Sequence, residues 1–155
     1  MTLTLEPASP DAAYWLATGL CESDRRFVEA LCPGGEYMLG EYLESSLVGS
    51  EQIFAIIDEG GVLQGLLSHR YIDSLFEVGE VTLLSSETLW EDHFREITRV
   101  FRRDVLPALQ ASYRTVQTTT RTKNTALLRW LIAAGFEPKR WAEFNKEQFT
   151  LLEIS

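Results

Sequence analysis

The residues that could do chemistry are few, and their spacing excludes more than it offers. His69 and His93 have no serine or cysteine placed to act as their nucleophile, so triad chemistry is not expected. Cys21 and Cys32 share an apparently helical stretch, and no second Cys or His pair stands at ligand spacing. They read as small buried hydrophobes, and no metal site is expected. Basic residues cluster twice, at Arg95, Arg99, Arg102 and Arg103 and again at Arg121, Lys123 and Arg129. In the first cluster, three- and four-residue spacings to Glu91, Asp92, Glu96 and Asp104 allow ordinary ion pairs on a solvated helix face. Against these 14 Lys and Arg stand 23 Asp and Glu, a formal charge of -9. A surface of that sign opposes phosphate-backbone binding, so nucleic acid is not an expected partner.

The elements that must position any site follow from periodicity. At 155 residues and 45% hydrophobic, the chain can bury roughly two thirds of its unfolded surface without metal or disulfide. A single domain over 1–155 is expected, with no linker, repeat or low-complexity segment. Apolar runs are too short to span a bilayer, and the first residues lack the basic start and apolar stretch of a signal peptide, so no membrane association and a cytoplasmic location are expected.

Leu3 and Leu5 alternate with polar neighbours as a short strand. Asp11 can cap a helix over 12–20, and Ser23 or Asp24 a second carrying Phe27, Val28 and Leu31, stopped by Pro33-Gly34-Gly35. Tyr37, Leu39, Tyr42 and Leu43 continue helical spacing to Gly49. Residues 52–57, the turn Asp58-Glu59-Gly60-Gly61 and residues 62–67 read as a hairpin, followed by a less regular stretch. Residues 78–84 read as the next strand. Ser85 or Ser86 can cap one long helix with Leu89, Phe94, Ile97, Val100, Phe101 and Val105 on its apolar face. Residues 113–120, rich in β-branched side chains, read as a strand. Asn124 to Ala134 is helical and closed by Gly135, and residues 136–144 and 148–154 form a final hairpin turning at Asn145-Lys146. Trp90 and Trp130 read as packing residues.

Asn124 followed eleven positions later by Gly135-Phe136, behind a β-branched strand, resembles the GNAT superfamily of acyl-CoA N-acetyltransferases. The resemblance implies an α/β (α+β) fold with a central mixed, mostly antiparallel sheet flanked by helices. The glycine-rich loop expected between the fourth strand and the long helix is missing; Ser85-Ser86-Glu87-Thr88-Leu89-Trp90-Glu91-Asp92 stands there instead. Three carboxylates in that turn suit the helix dipole but repel a pyrophosphate. Leu131 occupies the position of a tyrosine general acid. Ser86-Glu87-Thr88-Leu89-Trp90 before a basic helix, with Asn124-Thr125, Arg129, Trp130 and Leu131, is similar to the GNAT-like internal virion proteins of short-tailed bacteriophages.

What the resemblance implies is direct acyl transfer from acetyl-CoA to an unidentified small-molecule or protein amine. It implies Glu80 as the catalytic base, with Glu77 second; the plainer reading of Glu80 is a solvated strand residue beside Gly79. It places Leu83, Leu84, Ser85 and Ser86 along the cofactor, Asn124 beside the pantetheine arm, and Arg129, with Arg121 and Lys123, near phosphates. Plain surface is the alternative for these basic residues. The second functional reading is a catalytically silent phage or prophage protein, associated with a virion and acting through protein binding. A homodimer or a phage protein partner is compatible with either reading.

Overall fold

The computed structural model describes residues 2–17, 19–31 and 36–155, with side chains for all of these except 30, 31 and 36–38. Cys32, the Pro33-Gly34-Gly35 stop and the side chain of Tyr37 lie outside the described residues. Seven strands form one sheet: β1 (Thr4–Pro7), β2 (Gln52–Ile57), β3 (Leu63–Asp73), β4 (Val78–Ser85), β5 (Thr115–Arg121), β6 (Glu137–Phe144) and β7 (Glu147–Ile154), in the order β1-β2-β3-β4-β5-β7-β6. Every neighbouring pair is antiparallel except β4 and β5. That one parallel pairing requires a crossover, which the helices between residues 87 and 112 supply.

The helices α1 (Ala12–Ala17), α2 (Glu22–Leu31) and α3 (Glu36–Leu47) cover one face, where Leu16, Leu43 and Leu47 pack on Ile53, Leu66 and Leu84. The other face holds the larger core, in which Phe101, Trp130, Leu131 and Phe136 meet Val81, Leu83 and Val116. Adjacent residues of β4 therefore serve opposite layers, as strand alternation demands. No helix among the described residues is long and apolar enough to cross a membrane.

Several expected boundaries move. The described α1 helix covers Ala12–Ala17, and Leu20, expected inside it, makes an isolated antiparallel bridge to Ser86. Asp24 is no cap: it lies inside the first turn of α2, and its carboxylate bonds to Ser85. The irregular stretch after Leu67 is a continuation of β3, paired to β4 as far as Asp73. Tyr113 terminates a helix rather than opening β5.

The expected long helix is segmented into α4 (Glu87–Asp92), α5 (Phe94–Val100), a π-helical turn over Phe101–Val105, and α6 (Leu106–Ser112). The break at His93 is a departure from helical backbone, φ -127°. Pro107, which has no N–H to give the preceding turn, accounts for the restart at α6. The apolar positions are nonetheless buried as spaced: Leu89, Ile97, Val100, Phe101 and Val105 lie in the interior. At the chain's end, α7 (Thr125–Ala134) is capped by the Asn124 side chain, which accepts from Leu127 N–H at 3.2 Å, and closed by Gly135 at φ 113°.

Candidate functional site

The site is made by two strands that separate. β4 and β5 pair over only three positions, Val78↔Thr115, Gly79↔Val116 and Glu80↔Gln117. Beyond them β4 stays with β3 up to Gly65↔Ser85, while β5 stays with β7 up to Arg121↔Phe149. Between the diverging arms lies a cavity of about 430 Å³. Its walls come from Glu80 to Leu84 of β4, Thr118 to Thr120 of β5, Leu127 and Leu131 of α7, and Asp24, Phe27 and Val28 of α2, with Tyr42, Leu43 and Ser46 of α3. Because β4 no longer pairs with β5 past Glu80, its backbone edge faces this space, a surface that can bond the amides of an extended ligand.

At the closed end of the fork, Glu80 lines the cavity and its carboxylate accepts from the Arg70 guanidinium at 3.2 Å. Both side chains keep partial access to water, at 31% and 42% exposure, so the pair orients Glu80 more than it stabilises the fold. Glu77 is exposed in the turn before β4, with φ 54°, and does not line the cavity.

The open end holds a buried carboxylate. Asp24, 4% exposed, accepts the Ser85 backbone N–H at 2.7 Å and the Ser85 hydroxyl at 3.0 Å, and Asn124 Nδ2 approaches its other oxygen at 3.5 Å. Burial pushes its pKa up to about 6, with the bonds from Ser85 opposing the shift. Cys21 Sγ lies 3.4 Å from the Ser85 hydroxyl, and burial, with the Asp24 charge beside it, pushes that thiol up to about 11. Cys21 thus behaves as the inert buried residue its spacing indicated. The start of α2 is fixed to the end of β4, since Cys21 N–H bonds Ser85 C=O at 2.9 Å. Farther along, Phe27 meets the Phe149 ring edge-on at 5.8 Å. The α2 helix therefore reaches from one arm of the fork to the other.

The sequence-marked residues distribute around this geometry. Leu83 and Leu84 are wall residues. Ser85 is the last residue of β4 and gives its donors to Asp24. Ser86 precedes α4 but makes no side-chain cap; its hydroxyl donates to Gln64 at 2.7 Å, and it lines a separate surface recess with Glu22, Arg25 and Thr88. Asn124 sits at the open end, divided between its cap and Asp24. Arg129 is exposed on α7 with its guanidinium 5.8 Å over the Phe94 ring, outside the cavity wall. Arg121 is not surface: it is buried and pairs with Glu147 across the β5–β7 ladder. Lys123 is exposed. Of the N-terminal aromatics, Tyr42 lines the cavity while Trp15 is exposed to solvent. Among the described residues no group of His, Cys, Asp and Glu could hold a metal ion.

Asp24 and Arg70 were missed as site residues. An acidic residue in a helix's first turn is what the helix itself favours, so nothing local marks Asp24. Its partner Ser85 is 61 residues away.

No protein-family model matches the chain, and no curated protein matches it in sequence. Solved structures do match. The spermidine N-acetyltransferase of Vibrio cholerae in complex with CoA and spermine is 15% identical, with a TM-score of 0.69 over 99% of this chain and 95% of that one. A structure described as "a putative phosphinothricin N-acetyltransferase" is also 15% identical, with a TM-score of 0.67 over 98% of this chain and 97% of that one. The chain has the fold of the GNAT acetyltransferases, a mixed seven-stranded sheet flanked by helices. At this identity the likeness establishes architecture, and activity has to be argued from the residues.

Proposed function

We propose that the chain is an acyl-CoA-dependent N-acyltransferase that moves an acyl group directly from thioester to amine within the β4–β5 fork. The observation that carries this reading is the fork itself: a largely apolar cavity bordered by a free strand edge, with one carboxylate, Glu80, held at its closed end by Arg70. The free edge over Val81 to Leu84 fits the amides of a pantetheine arm, and Leu127 and Leu131 fit its apolar length. The Ser85 end does not fit a phosphate as it stands, because Asp24 occupies its donors.

Bound CoA would supply an acyl group activated as a thioester. Glu80 takes the proton that the attacking amine nitrogen gives up as the C–N bond forms and the C–S bond breaks. Leu131 has no proton to give, so a departing thiolate would have to take its proton from water. Asn124 and Arg129 remain assigned to the cofactor side, Asn124 by its position at the open end of the fork.

The solved neighbours acetylate amines by name, and the cavity narrows the kind of amine. Its two carboxylates are both engaged, Glu80 by Arg70 and Asp24 by Ser85, and the remaining wall is mostly apolar. That suits one amine on an apolar body better than a polycation. The experiment is release of free thiol from acetyl-CoA across a panel of amines, with thermal shift at millimolar acetyl-CoA beside it. Amine-dependent thiol release and a raised melting temperature are expected; the absence of both sinks the reading.

The second reading, a catalytically silent protein that works by binding another, is favoured by one pairing of observations. Leu131 lines the cavity at the position that the resemblance gives to a proton donor, and Asp24 fills the Ser85 donors. Its link to phage virion proteins rests on the sequence pattern around Trp90 and Asn124 alone.

A further inference from the structure

The Ser85 end of the fork already binds an anion, and that anion belongs to the chain. A backbone N–H and a hydroxyl from β4 converge on Asp24, with an amide from the cap of α7 at longer range. All three are neutral groups. A buried carboxylate held by neutral donors is costly to keep charged, since hydrogen bonds replace only part of the lost hydration. Its raised pKa is consistent with that cost. The helix that carries it also supplies cavity wall through Phe27 and Val28, and Phe27 packs on Phe149 of the far arm, so the position of α2 sets the width of the cavity. The Leu20↔Ser86 bridge and the bond from Cys21 N–H to Ser85 C=O tether the chain just before that helix, beside the latch point.

We propose that Asp24 is an internal anion that latches α2 across the β4–β5 fork, and that an anionic ligand group takes the Ser85 and Asn124 donors when α2 swings away. The inference rests on the acyl-CoA reading for the identity of that ligand: the phosphates of CoA are the competing anion. The latch explains how a chain without a glycine-rich loop keeps an anion-binding backbone N–H at the end of β4. That group is present and buried behind the chain's own carboxylate. While Asp24 remains seated and ionised, an arriving phosphate meets like charge at hydrogen-bond range. Binding therefore requires the carboxylate to leave or take up a proton.

The test is calorimetric titration of the full chain and its Asp24→Asn and Asp24→Ala variants with acetyl-CoA and with S-acetylpantetheine, which carries the thioester but no phosphate. D24N retains an acceptor for Ser85 and guards against a folding defect in D24A. Acetyl-CoA is expected to bind D24N about tenfold or more tightly than wild type, whereas S-acetylpantetheine should bind both alike. Hydrogen exchange supplies a second readout: acetyl-CoA should speed exchange of α2 amides in the wild type, and S-acetylpantetheine should not. Equal affinity of acetyl-CoA for all three forms, or unchanged α2 exchange in its complex, overturns the latch while the acyl-CoA reading stands. Binding of acetyl-CoA to none of the three overturns that reading and the latch together.

Discussion

The Asp24 carboxylate accepts the Ser85 backbone N–H at 2.7 Å, joining the first turn of α2 to the last residue of β4 in the protein interior. The contact bears on ligand access and on stability.

An acid whose pKa rises on folding prefers the folded state when protonated. Asp24 moves from 3.8 to about 6, so the folded chain binds more protons than the unfolded chain between those values. Its contribution is therefore most favourable below pH 4, declines as pH rises toward 6, and is flat above, a span of about 3 kcal/mol. Urea midpoints of wild type and D24N at pH 4.5 and pH 8 check this. The variant should gain on the wild type as pH rises, and an identical gap at both pH values refutes the assignment.

Glu80→Gln keeps the shape of the side chain and removes its basicity. It should lower kcat by about 10²–10⁴ while leaving acetyl-CoA affinity within a factor of a few. Arg70→Ala, which frees Glu80 from its 3.2 Å partner without removing the base, should cost less in kcat. A Glu80→Gln enzyme as active as wild type removes Glu80 from the mechanism.

Among amines, one with a single amino group on an apolar body, such as phenethylamine, should exceed spermidine in kcat/KM by about tenfold, because Glu80 and Asp24 are already engaged. A preference for spermidine means that cationic groups of the substrate are received elsewhere, for instance on the exposed acidic surface.

Three glycines rank themselves by surroundings. Gly61, at φ 80° with open space around it, should lose only backbone strain on change to alanine, about 1–3 kcal/mol. Gly135→Ala combines φ 113° with a Cβ placed 2.9 Å from Ile154 Cδ1, so it should cost more. At Gly79 a Cβ would lie 2.5 Å from the Tyr113 ring, whose hydroxyl is bonded to His69 Nδ1 at 2.7 Å. Gly79→Ala should displace that ring and break the bond. Chemical denaturation orders the three, and a Gly79→Ala as stable as wild type contradicts the packing.

Much of the architecture was legible because local chemistry and tertiary structure agree. Asn124 and Gly135 mark both ends of α7, and the turn at Asp58 to Gly61 joins two strands whose Asp58 side chain bonds the N–H groups of Gly60 and Val62. The helix period marked Leu89, Ile97 and Phe101 as apolar-face positions, and all three are buried. The failures share a cause, which is partners distant in sequence. Ser86 has the type of a cap, yet Gln64 takes its hydroxyl. Arg121 has the type of a surface residue, yet β7 brings Glu147 to it. The continuous helix expected after β4 buries its apolar positions, but that spacing carries no sign of the break at His93 or of the π turn over Phe101–Val105. Of the residues marked in the sequence, Glu80, Leu83 and Leu84 line the cavity, whereas Asp24, which lines it too, was not marked, because its contact exists only once β4 has ended beside α2.

The three residue pairs that hold β4 to β5 make the sheet two ladders sharing a short seam, β1 to β4 on one side and β5 to β7 on the other. Each ladder closes through antiparallel neighbours, three of them joined directly by turns, whereas the seam must wait for the whole crossover from residue 86 to residue 114 to be in place. The architecture thus places the cavity beside the shortest seam of the sheet, and that shortness lets a ligand lie between the ladders without breaking either.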